Sequence, residues 1–283
     1  MLVLAACQPQ ESADTVADLQ AAAPEAFSGV VAQANTVPRM ADGTPDLNGV
    51  WQVLGTANWD LEPHSARQGA TEALGAIGAV PPGLGVIQGA ASIPYLPEAR
   101  AQRDENFANR RTADPEAKCF RPGIPRATYL PYPFQILQTE SEIFVAYQFA
   151  YASRSIYLQN HVDIPVESWM GWSNGHWEGD TLVVEVTGQN GQSWLDRAGN
   201  FVSSNARITE RFTPEGRWHI WYEATIDDPT IFERPWTIGM MLYRNTDTNT
   251  LGLEFQCVEF AEELMYGHLS KPQVEAEGGS DDE

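Results

Sequence analysis

Alternation along two segments singles out charged side chains that could move a proton. In Ala206–Phe212, the residues Ala206, Ile208, Glu210 and Phe212 share one face, while Arg207, Thr209 and Arg211 share the other. Glu210 therefore falls on the apolar side. Arg154 likewise shares a face with Ile156 and Leu158. A charge buried alone is costly, so each group is expected to be paired or to line a wet cavity. Two readings stay open: an ion pair that fixes strand register, or a pocket that handles a ligand. In the second, Glu210 or Asp196 carries the proton and Arg154 or Arg126 stabilises developing negative charge, with no cofactor. Glu210→Gln is then expected to abolish turnover and spare the fold. Arg121 and Arg126, in Cys119–Arg126, are further cations for a pocket mouth.

Other spacings are weaker. Nine tryptophans are many, and core packing accounts for most of them. Trp218 alternates with Ile220, Tyr222 and Ala224 and is expected in the core, whereas Trp221 shares its face with His219 and Glu223. Trp172, Trp177, Trp221, Tyr147 and Asp227 are the candidate ligand contacts. Gly171–Gly175 matches the GxSxG of a hydrolase elbow, which requires a strand before it and a helix after it. Here a turn and the strand Leu182–Val186 follow, so Ser173 is set aside as a nucleophile. His176, Glu178 and Asp180 stand on alternate residues, as metal ligands could. Hard cations gather more oxygens than this, and Gly179-Asp180 reads as a turn. A charged hairpin tip is preferred there, and no metal site is expected. Asp227-Asp228-Pro229 reads as turn chemistry closing a strand.

The elements that must hold these residues are short strands. Phe134–Thr139, Ile143–Ala150, Arg154–Leu158, Thr181–Gly188, Ala206–Phe212, Arg217–Ile226, Trp236–Arg244 and Leu251–Val258 are aromatic or β-branched and punctuated by turns such as Thr213–Gly216. The expected fold is mainly β, an antiparallel β-barrel or sandwich, with a lipocalin-like barrel favoured. An N-terminal helical and looped segment over 67–118 covers it, with a helix from Pro97 to Arg111 ended by Asp114-Pro115. Residues 42–270 form this single domain. Residues 7–41 read as a disordered tether and 271–283 as a disordered acidic tail.

Charge and cysteines speak to location. The net charge is −21, and −13 of it remains when residues 1–42 and 271–283 are set aside. Clustered Lys and Arg are what phosphate backbones need, so nucleic acid is excluded as a partner. Leu4-Ala5-Ala6-Cys7 resembles a bacterial lipobox, with residues 1–6 the remnant of a signal peptide and Cys7 the lipidated residue. That makes the chain a lipoprotein of the bacterial cell envelope, anchored in the outer membrane through lipid on Cys7 and facing the periplasm or the exterior. Outside the cytoplasm, Cys119 and Cys257 are expected to form a disulfide.

The longer motifs carry a resemblance. Glu105–Arg110, Asp114–Cys119, Pro122–Arg126, Trp177–Val184, Trp194–Gly199, Thr209-Glu210-Arg211 and Asp227-Asp228-Pro229 with Pro235-Trp236 together resemble a large group of uncharacterised secreted bacterial proteins. The likeness spans roughly residues 42–260, and the chain departs from the group at Trp172 and His176. It implies a shared fold and carries no catalytic residue across. The function expected is a barrel pocket that binds or transforms a small apolar or amphipathic molecule by cofactor-free acid–base chemistry. The alternatives are carbohydrate binding or cleavage, and a non-catalytic envelope or interaction protein.

Overall fold

Side chains alternating between apolar and polar build nine strands, because a period of two places every second residue on the same face of a sheet. They are β1 (Gly49–Val53), β2 (Phe134–Gln138), β3 (Glu142–Tyr147), β4 (Ser153–Tyr157), β5 (Trp172–Glu178), β6 (Thr181–Thr187), β7 (Arg207–Pro214), β8 (His219–Asp227) and β9 (Trp236–Arg244). The computed structural model describes residues 36–69, 72–247 and 255–269. The described residues from Val37 onward form one compact unit.

The strands close into a barrel in sequence order, with β1 pairing both β2 and β9. Closure removes the open edges that would otherwise template aggregation. Neighbours are antiparallel except β4 and β5, which run parallel through Ile156↔Ser173 and Tyr157↔Asn174. The barrel is therefore mixed. Seven of the expected strands lie where the alternation puts them. Two more strands, Gly49–Val53 and Trp172–Glu178, were not among those expected. The expected strand Leu251–Val258 lies partly outside the described residues, and its described part, 255–258, is not strand.

Inward residues of β7 and β8 illustrate the core. Ile208, Phe212, Ile220, Tyr222, Ala224 and Ile226 are all buried, while Trp218 precedes β8 and is only half-buried. Among the described residues, four α-helices sit outside the sheet: α1 (Pro97–Ala108), α2 (Arg110–Ala113), α3 (Arg126–Tyr129) and α4 (Ala261–Tyr266). Pro97 opens α1, a position where its missing N–H costs nothing. Residues of α3 are buried throughout. A disulfide joins Cys119 to Cys257, 138 residues apart. Cys7, most of the expected tether and the acidic tail fall outside the described residues. Order is present by Arg39, whose guanidinium pairs with Asp180 at 2.5 and 2.6 Å.

Candidate functional site

Two spaces compete for the role of site. The first is the barrel lumen, where the alternation of β4 and β7 brings Arg154 and Glu210 together. Arg154 donates to both Glu210 oxygens at 2.5 and 3.0 Å, and Tyr222 Oη donates to Glu210 Oε1 at 2.8 Å. Burial works against the Arg154 charge, but Glu210 more than offsets it and holds the guanidinium above its ordinary value. Burial and the Glu210 charge push the Tyr222 hydroxyl well up. Glu210 is 0% exposed, and the space beside the pair is about 10 Å³. That is room for one water at most. Leu47, Ile143, Phe212 and their neighbours fill the rest.

The second space is a cavity of about 590 Å³ at the barrel end where β3 runs out and β2 begins. One wall is an aromatic triad: Tyr132 just before β2, Phe149 just after β3, and Phe255. Their ring centroids stand 4.7–5.6 Å apart. Phe107 of α1 and Trp59 also line the space, each carrying an arginine: Arg110 at 4.2 Å from the Phe107 centroid and Arg197 at 4.6 Å from Trp59. The segment 255–269 also lines the space and ends in α4. It is held by the Cys119–Cys257 disulfide, by Phe260 N donating to Ala117 O at 2.7 Å, and by an Arg111–Glu263 ion pair.

A ladder of paired charges runs from the cavity lining inward. Arg126 is 1% exposed and donates to both oxygens of Asp114 at 2.8 and 3.0 Å and to Glu116 at 2.6 Å. Glu116 in turn takes two bonds from Arg197 at 2.9 and 2.7 Å. Burial opposes ionisation of Glu116, yet Arg197 and Arg126 together hold its carboxyl below the usual range. One layer deeper, Asp196 accepts from the N–H groups of Leu61, Ala198 and Asn200 and from Asn200 Nδ2 at 2.6–3.2 Å. Burial and the nearby Asp60 charge still push it up to about 7. Asp196 thus clamps the 58–62 and 195–200 segments together, with every lone-pair direction occupied.

The predicted residues divide accordingly. Glu210, Arg154 and Tyr147 meet in the lumen. Arg126 and Asp196 sit under the cavity floor and do not line it. Arg121 is exposed and takes no part. None of the ligand-contact candidates Trp172, Trp177, Trp221, Tyr147 and Asp227 lines the large cavity. Trp172 Nε1 instead donates to Val166 O at 2.7 Å, Trp177 packs on the core, and Trp221 lies against Gly239 on the outer surface. Asp227 faces Arg207 across β7 and β8. Its neighbour Asp228 accepts from Ser203 N at 2.7 Å and Thr230 Oγ1 at 2.6 Å, which is turn chemistry. Glu178 bonds Arg211 at 2.9 Å and His176 at 3.3 Å across the hairpin tip.

The cavity residues Trp59, Phe107, Arg110, Tyr132 and Phe255 escaped sequence reasoning, because they come from separate segments that no local spacing links to one another. A signal was nonetheless present: Glu105–Arg110, Asp114–Cys119, Pro122–Arg126 and Trp194–Gly199 each supply a lining residue or one directly beneath it. Compared with known proteins, the chain matches no family model, no curated protein and no solved structure.

Proposed function

We propose that this protein binds a small, largely apolar molecule in the cavity at the barrel mouth. The observation that carries this reading is the cavity itself: about 590 Å³, largely apolar in its lining with seven aromatic side chains, and with charged groups placed among them. Ligand sites have this size and make-up. The filled lumen offers no comparable space, so we assign Glu210 and Arg154 to fixing strand register rather than to substrate. Binding is also better supported than turnover. Each carboxylate of the lining is engaged by an arginine: Asp114 and Glu116 by Arg126, Glu262 by Arg197 at 3.9 Å, and Glu263 by Arg111. Carbohydrate cleavage needs one carboxyl kept protonated, and such pairing works against that. Asp196, at about 7, is the one group suited to acid–base work, but it is 0% exposed.

We place the protein in the bacterial envelope, held by lipid on Cys7. The Leu4–Cys7 pattern supports this, as does a disulfide, which persists in oxidising compartments.

A neutral fluorescent probe, N-phenyl-1-naphthylamine, tests the binding reading. It is expected to bind with 1:1 stoichiometry, and Ala261→Trp, which fills the cavity from α4, is expected to weaken binding by about tenfold or more. No saturable binding, or equal binding by Ala261→Trp with an intact fold, would overturn the proposal.

A further inference from the structure

The charges around the cavity balance in number, but they are not all matched at ion-pair distance. Arg67 pairs with Asp60 at 3.3 Å, Arg111 with Glu263, and Arg197 with Glu116 at 2.7 Å. Among the described residues, Arg110 is the lining cation with no carboxylate at ion-pair distance. Its guanidinium rests on the Phe107 ring at 4.2 Å, and Nη1 donates to Phe107 O at 2.7 Å. A guanidinium carries five N–H donors in one plane, so stacking leaves most of them unspent. Arg67 and Arg103 lie over the same ring at 5.3 and 5.5 Å. Burial, Arg67 and Arg111 pull the half-buried Arg110 below its ordinary value, and Glu262, too far for an ion pair, offsets this only in part.

Resting on the binding reading above, we infer that the cavity selects small apolar acids: the aromatic walls take the ring or chain, and Arg110 takes a single carboxylate-sized anion. A monoanion fits better than a phosphate dianion, because Asp114, Glu116, Glu262 and Glu263 share the same lining. A second negative charge would meet repulsion without a second spare cation.

The test is competition against N-phenyl-1-naphthylamine by two molecules with the same ring system, 2-naphthoate and 2-naphthylmethanol. Wild-type protein is expected to favour the acid by about tenfold to a hundredfold, the range a charge-assisted hydrogen bond supplies. In Arg110→Gln that ratio is expected to fall towards one, and in Arg110→Lys to recover in part. A ratio near one in the wild type, or a ratio unchanged in Arg110→Gln, overturns the assignment. The wild-type ratio needs no variant, so the inference stays testable if Arg110→Gln folds poorly. Absence of any probe binding is a different failure, since it removes the cavity as a ligand site altogether.

Discussion

At the scale of single residues, the Glu210–Arg154 pair shows how far a two-residue period reaches. Alternation alone put both charges inside, and both are inside. What it left open was whether they face a ligand or each other. With Arg154 bonded to both Glu210 oxygens and Tyr222 bonded to one of them, the carboxylate is satisfied by the protein itself. Glu210→Gln is therefore expected to harm the fold, reversing the effect that a catalytic role predicts. Stranding the Arg154 charge should cost about 3–5 kcal/mol, seen as a lower denaturant midpoint. A double change to apolar residues, Arg154→Met with Glu210→Leu, should cost clearly less, because it strands no charge. Full stability in Glu210→Gln would mean that the pair is wet and open to solutes.

At the scale of elements, strands with clean alternation were legible and the irregular ones were not. Trp172–Glu178 puts Ser173 and Gly175 on its inward face, which therefore lacks the apolar signature. Its position is fixed by contacts remote in sequence. Asn174 exchanges two 3.0 Å hydrogen bonds with Val162 across the crossover that leads into β5, and Trp172 holds Val166. Gly175 itself is required by crowding: a Cβ there would stand 2.7 Å from Ile156 Cγ2 and 3.1 Å from Leu158 Cδ2. Gly175→Ala should thus destabilise the β4–β5 seam by about 1–3 kcal/mol, the usual cost of overpacking. Urea unfolding would show this as a shifted midpoint at constant slope. An unshifted midpoint would mean that Ile156 has room the packing denies it.

At the scale of the whole molecule, the cavity exists because segments far apart in sequence are tied at one end of the barrel. The disulfide closes a separation of 138 residues, which in the chain-entropy picture stabilises the fold by about 5 kcal/mol. Cys119→Ser with Cys257→Ser is expected to lower the melting temperature and to weaken probe binding, since Phe255 and α4 lose their covalent tie to the cavity. Unchanged binding with a lowered melting temperature would show that Phe260, Glu262 and Glu263 hold the segment without it. The residue sequence by itself determined the β class, the places of seven strands, the helix from Pro97, the inward facing of Glu210 and Arg154, and the cysteine pairing. Each of these follows from local periodicity, turn chemistry or simple counting. Only the tertiary structure decided that the lumen is filled, that β4 and β5 run parallel, and that the large cavity lies at the barrel end. Those outcomes depend on which side chains meet across more than a hundred residues, and no local period encodes a meeting between Phe149 and Phe255 or leaves Arg110 without an acid.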